Sequence, residues 1–238
     1  LNKNLSDTTS YLLKNSDGKT CNDNIQGCKF NTSSNKKVYI IGDSHMATLM
    51  FNLKDRIVKK NYQFITSISG GCVFYPSFNL VHSKTLKIDK NCNDIYFKKL
   101  KVNLSKETNS ILIFGGRFPL YLTNNLFYNQ ESGVEGKEWE RKYVSNGKYD
   151  TIQSSFKNEV LKLSQKNKII LIYPIPEVGL DPNKKIWIDR KNKFSKNFES
   201  VDVNTSFDVY KNRTKSSFEL LNSIKGDNIY RVYPHKLF

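Results

Sequence analysis

Several signatures that would name a chemistry are missing from this chain. Histidine occurs three times, at His45, His82 and His235, so an imidazole base has few sources. The four cysteines form no Cys-x-x-Cys, and no histidine-rich segment accompanies them, which excludes the common zinc patterns. There is no P-loop and no Gly-x-Gly-x-x-Gly, so neither a nucleotide nor a metal cofactor is implied. No run of about eighteen apolar residues reads as a membrane span. The N-terminus, Leu1-Asn2-Lys3-Asn4, lacks the apolar core of a secretion signal, so the chain reads as mature or as cut from a larger protein. Internal repeats and low-complexity linkers are also lacking. Acidic residues are outnumbered, 22 against 38 Lys and Arg, for a net charge of +16. The lysines are scattered, with clustering only at Lys184-Lys185 and at Arg190-Lys191 with Lys193. With no nucleic-acid module visible, no nucleic-acid partner is expected. The charge reads as compositional background with a modest attraction to anionic surfaces.

What is present suits one folded α/β domain. The 238 residues are 38% hydrophobic and 13% aromatic, enough to bury a core. The cysteines fall in two local pairs, which suggests Cys21–Cys28 and Cys72–Cys92, with three connectivities open. Such bridges imply an oxidising compartment; the alternative is four buried thiols in a cytosolic protein. Residues 1–36 are polar and aperiodic, and read as an irregular, disulfide-stapled extension. From residue 37 strands and helices alternate. Strands are expected at 38–41, 63–68, 110–114, 168–173 and 228–232. Helices are expected at about 46–60, 94–104, 151–165 and 206–224. A long loop after the second strand carries Tyr75-Pro76 and His82, segment 129–148 is polar, and a basic loop spans about 177–203. Uniformly apolar strands separated by helices argue for a parallel sheet covered on both faces. Its site belongs at the carboxyl ends of the strands.

The chain is organised around Lys37 to Leu53. An apolar, β-branched run ends at Gly42, and Met46, Leu49, Met50, Leu53 and Ile57 follow at helical spacing. Asp43-Ser44-His45 therefore sits between a strand end and a helix start. The bland reading is a turn with an N-cap, since Asp and Ser are both favoured caps. The functional reading is a nucleophile. A serine there is exposed at the sheet edge, and helix N–H groups face whatever it attacks. An acyl-transfer site further needs a base, an orienter for the base, and oxyanion donors.

Gly42-Asp43-Ser44-His45 in this context resembles the SGNH/GDSL hydrolase superfamily. It looks most like the extracytoplasmic SGNH domain attached to membrane acyltransferase-3 proteins, a family that O-acylates bacterial surface glycans. The resemblance implies a three-layer α/β/α sandwich with a flavodoxin-like parallel sheet over residues 37–238. It implies Ser44 as nucleophile and Gly71, in the turn Ser69-Gly70-Gly71-Cys72, as an oxyanion donor. Cysteines before the first strand and after the second are also a family trait. Where many superfamily members carry Gly-x-Asn-Asp, this chain has Gly115-Gly116-Arg117-Phe118-Pro119-Leu120-Tyr121. Arg117 is therefore a candidate for holding the oxyanion or a substrate carboxylate.

The family's late Asp-x-x-His, its orienter and base, occurs nowhere in the sequence. The catalytic Asp and His are thus absent, and the chain is expected to lack the C-terminal block that carries them. His45 matches the family's Ser-His rather than its base. His82 reads as a surface residue, and His235, in Tyr-Pro-His-Lys-Leu-Phe, is the remaining stand-in. The leading expectation is a serine O-acyltransferase acting on a surface polysaccharide, acetyl transfer first. Its acyl donor would be a membrane acyltransferase domain in cis or trans, and its location periplasmic or extracellular and membrane-tethered. A carbohydrate esterase with the same residues is the alternative, followed by a catalytically inactive glycan-binding domain.

Overall fold

The computed structural model describes residues 13–22, 27–122, 127–128, 134–135, 141–178 and 205–237. The strands are β1 (Lys29–Phe30), β2 (Lys37–Gly42), β3 (Gln63–Ile68), β4 (Phe78–His82), β5 (Ile111–Phe114), β6 (Phe127–Tyr128), β7 (Val134–Glu135), β8 (Arg141–Ser145), β9 (Lys168–Ile172) and β10 (Ile229–Val232). The helices are α1 (Ser44–Lys59), α2 (Asp94–Ser105), α3 (Phe118–Tyr121), α4 (Ile152–Ser164) and α5 (Phe207–Ser223). A short 3-10 turn covers Pro234–Leu237.

The central sheet runs β1-β3-β2-β5-β9-β10. All neighbours are parallel except β1, which pairs antiparallel with β3. The five parallel strands thus follow the flavodoxin-like order 2-1-3-4-5. From β2 the chain steps first to one side, to β3, then crosses back over β2 to β5 and onward. Right-handed crossovers then require α1 on one face and the later helices on the other. The two cores show this partition. Val38, Ile40, Phe64 and Ile113 pack with Met46 and Met50 of α1. Tyr39, Ile41, Leu112 and Phe114 pack with Phe97 of α2, Phe156 of α4 and Leu221 of α5. Alternate residues of one strand feed opposite cores, which is the period-two pleat. The α/β/α layering expected from the sequence is the layering observed.

Local chemistry sets the helix starts. Asp43 caps α1 by accepting from the His45 N–H, Asn93 caps α2 through the Tyr96 N–H, and Ser206 caps α5 through the Val209 N–H. Thr151 and Ser154 form a reciprocal capping box on α4. The disulfides are Cys21–Cys28 and Cys72–Cys92. Among the described residues, no helix is long and apolar enough to cross a membrane.

Two features differ from the sequence expectations, and a third falls where the sequence implied none. Residues 29–30, read as irregular, extend the sheet through Lys29↔Ile65 and Phe30↔Phe64. The expected loop around His82 holds β4, which pairs with β8 from the segment read as polar. That pairing joins residues about 60 apart and exposes most of β8. Its stability comes from tertiary contact rather than an apolar strand signal. Pro119-Leu120-Tyr121 belongs to the short, fully buried α3, with Pro119 in its first turn. The clusters at 184–185 and 190–193 lie outside the described residues.

Candidate active site

Strand β2 ends in a turn that tolerates no side chain. At Gly42 φ is +155°, and a Cβ would collide with the Gly115 carbonyl oxygen and with Met46. This close approach brings the ends of β2 and β5 together. Asp43 then locks them. Its carboxylate is fully buried. One oxygen accepts from the His45 N–H at 2.9 Å. The other accepts from the Arg117 N–H and the Tyr121 hydroxyl, each at 2.8 Å. Asp43 is thus the cap of α1 and the clamp between two strand ends, with three charge-assisted hydrogen bonds offsetting its burial.

Ser44 follows as the first residue of α1 and is exposed. The two N–H groups after it are used, His45 by the Asp43 carboxylate and Met46 by the Asp43 carbonyl. Among the described residues the Ser44 N–H and hydroxyl have no partner. Both lie at the positive end of a 16-residue helix. Ser44 lines a cavity of about 120 Å³ together with His45, Gly71, Arg117, Tyr121 and Arg141.

Gly71 reaches this cavity from the turn after β3. Its φ is +69°, the left-handed region where a side chain costs roughly 1–2 kcal/mol. A Cβ there would also lie 3.4 Å from Arg141 Nη1. The turn is held on three sides: the Cys72 N–H donates to the Ser69 carbonyl, Cys72 is bridged to Cys92, and Tyr143 donates to the Gly71 carbonyl at 3.3 Å. The Gly71 N–H has no partner among the described residues. Beneath, Tyr75, Tyr121 and Tyr143 pack edge to face. Burial, with the Asp43 charge adding to it, pushes the Tyr121 phenol well above its ordinary value. It therefore stays a neutral donor to Asp43.

Arg117 is partly engaged. Its Nε contacts both Glu177 oxygens, at 3.0 and 3.2 Å. Glu177 also lies 3.7 Å from His45 Nε2, and its carbonyl accepts from Arg213. An Arg117–Glu177–His45 cluster thus flanks the serine. The other two histidines are not brought to this cavity. His82 ends β4 and accepts from the Thr85 N–H through Nδ1. His235 sits among Tyr210, Phe218 and Tyr233, where burial, then the Lys236 charge, lowers its pKa. Among the described residues, no three His, Cys, Asp or Glu side chains converge as a metal site.

Ser44, Gly71 and Arg117, singled out from the sequence, line one cavity. Arg141, Tyr121 and Glu177 were missed. Arg141 gives no local signal, since its strand forms only on pairing with β4. Tyr121 lies inside the segment quoted for Arg117. Glu177 follows Pro174-Ile175-Pro176 at the carboxyl end of β9, and the rule that sites gather at such ends would have found it.

A family model described as "SGNH domain (fused to AT3 domains)" matches residues 13–238. A search of curated proteins finds no significant match. Among solved structures, the periplasmic domain of a Salmonella ser. Paratyphi A lipopolysaccharide acetyltransferase is 15% identical with a TM-score of 0.46. That alignment covers 83% of this chain, which spans 65% of the matched one.

Proposed function

The chain belongs to the SGNH domains that are fused to AT3 domains, and from that premise we propose that it is an extracytoplasmic serine O-acyltransferase domain acting on a bacterial surface polysaccharide. One observation carries the reading: a serine hydroxyl at the start of α1 with no partner among the described residues, lining a cavity it shares with Gly71. The Ser44 oxygen attacks the acyl carbonyl of the donor and loses its proton to a base. The Ser44 and Gly71 N–H groups hold the oxyanion. Collapse expels the donor's oxygen and leaves acyl-Ser44. A sugar hydroxyl then attacks, gives up its proton, and frees the serine. Two steps through one intermediate give ping-pong kinetics. The family's fusion supports a membrane acyltransferase domain as acyl source, in cis or trans, and hence a membrane-tethered location. Both disulfides agree with an oxidising compartment.

The reading requires a base that the described residues do not bring onto Ser44. Without one, acylation falls to what binding and the oxyanion donors supply. The test is the intact mass after incubation with p-nitrophenyl acetate, with and without added imidazole, beside Ser44→Ala. One acetyl adduct, increased by imidazole and absent from Ser44→Ala, is expected. Absence of any adduct under both conditions overturns the reading and leaves a glycan-binding domain. Release of free acetate without acetylation of an added polysaccharide indicates the esterase instead.

A further inference from the structure

A second cavity lies away from Ser44 and is about twice the volume of the one there. It is an open cleft of about 240 Å³ against the β1–β3–β2 side of the sheet and α2. Ile65 and Leu100 give it an apolar floor, and Lys29, Lys37, Lys99 and Lys106 come from β1, β2, the middle of α2 and its C-cap. One lysine is neutralised. Lys37 Nζ lies 2.9 and 3.0 Å from the two Glu107 oxygens, and the Tyr39 hydroxyl donates to Glu107 at 2.9 Å. Burial pulls the Glu107 pKa upward, but hydrogen bonds from Lys37, Tyr39 and Ser110 outweigh it and keep the carboxylate ionised. It is spent on Lys37. The other three ammonium groups have no ion-pair partner among the described residues, and all three residues are exposed. The side-chain amides of Gln63 and Asn103, which also line the cleft, have no hydrogen-bond partner among the described residues either.

Compositional background does not explain this. Lys and Arg make up 38 of 238 residues, about one in six, whereas lysines are one in three of the residues lining the cleft. The shape selects the ligand class. A bilayer surface is met by protruding lysines on a flat or convex face, whereas here three lysines without an ion-pair partner among the described residues line a concavity. Two amides suited to hydroxyl groups and an apolar floor suited to the C–H face of a ring complete it. Lys37 and Ser44 lie at opposite ends of β2, some 20 Å apart along the strand.

We propose that this cleft binds an anionic sugar unit, carboxylate- or phosphate-bearing, of a glycan chain at a site separate from Ser44. The proposal goes beyond acyl transfer and does not depend on it. It is tested by calorimetric titration of the 238-residue chain with trigalacturonate, with inorganic phosphate, with neutral galactotriose and with phosphatidylglycerol vesicles. Trigalacturonate should bind, phosphate should compete with it, and galactotriose should not bind. The triple variant Lys29→Gln/Lys99→Gln/Lys106→Gln should weaken trigalacturonate binding by about tenfold or more. Lys60→Gln/Lys215→Gln/Lys225→Gln removes the same charge from exposed positions elsewhere and should weaken it by less than about threefold. Ser44→Ala should bind as wild type does, so this proposal and the acylation reading fail separately. Equal losses in the two triple variants would reduce the site to diffuse charge and overturn it. Binding of phosphate alone, or of vesicles alone, would overturn the sugar assignment.

Discussion

Asp43 shows how a residue beside the chemistry can be essential for a different reason. Three donors converge on a carboxylate with no exposure to water. Tyr121→Phe removes one of them and should lower the unfolding free energy by about 1.5–3 kcal/mol, the range for a hydrogen bond to a charged group. Asp43→Ala leaves three donors unpaired and should cost more, about 3–5 kcal/mol. Urea unfolding of both variants checks the ranking, and equal midpoints would remove Asp43 as the clamp. Loss of acylation in an Asp43 variant is therefore no evidence that Asp43 takes part in the reaction. Arg117 and Glu177 separate the two roles better. Glu177 holds the Arg117 Nε and sets a negative charge near any developing oxyanion. If Arg117 stabilises that oxyanion, Arg117→Ala should slow acylation of Ser44 by about tenfold or more. Glu177→Gln, which keeps the shape and removes the charge, should speed it. Stopped-flow release of p-nitrophenolate reads both rates, and an unchanged rate in Arg117→Ala would leave the arginine a structural partner of Glu177.

At the scale of elements, the two disulfides do different work. Cys72–Cys92 closes a sequence separation of 20 and Cys21–Cys28 one of 7. Loop-closure entropy gives about 3 kcal/mol for the longer and about 2.5 kcal/mol for the shorter, so their stabilities differ little. Their positions differ more, because Cys72 adjoins the Gly71 turn while Cys28 anchors β1 through the Thr66 hydroxyl. Cys72→Ala/Cys92→Ala should therefore slow acylation of Ser44 at a temperature where both double variants are folded. Cys21→Ala/Cys28→Ala should leave the rate near wild type, and equal rates in the two would refute the positional argument. The same contrast explains what could be read without coordinates. Strands β2, β3, β5 and β9 are buried by apolar runs of their own, and β10 carries a similar run at the sheet edge although only Ile229 of it is buried, so these strands and their crossover helices were visible locally to within a residue or two. β1, β4 and β8 were not, since β1 has two residues, β8 is largely exposed, and β4, though largely buried, pairs with β8 far along the chain. Ser44 and Gly71 were legible because a strand end, a glycine turn and a helix start are local events. Arg141 lines the cavity only through β4–β8 pairing, which no local pattern announces, whereas Glu177 follows the end of β9, a strand the sequence does show.

Over the whole molecule the net charge of +16 surrounds the few carboxylates with cations that a buried one can organise. Glu159 on α4 is the strongest case. It binds Lys101 of α2 at 2.9 Å, Lys148 at 2.9 Å, Lys162 at 3.3 Å and the Tyr149 hydroxyl at 2.5 Å. One side chain thus joins two helices to the segment that follows β8. Burial alone would raise its pKa, but hydrogen bonds from Tyr149, Lys101 and Lys148 outweigh that and bring it from 4.5 to about 2. A carboxyl group with a depressed folded-state pKa stabilises the fold fully above its unfolded value. That contribution is lost as the pH falls through the folded value, here between about 4.5 and about 2. The lysines are partly exposed and screened by solvent, which discounts the contribution to about 1–2 kcal/mol. Other carboxylates also protonate in this window, and the growing positive charge destabilises the chain further, so wild-type acid unfolding alone does not isolate Glu159. The comparison with Glu159→Gln does. At pH 7 the variant should be less stable by about 1–2 kcal/mol, and the gap should close as both proteins approach pH 2. Urea midpoints taken across that range measure it. A gap constant with pH would mean that Glu159 acts through packing alone and that its lysines contribute no net charge interaction.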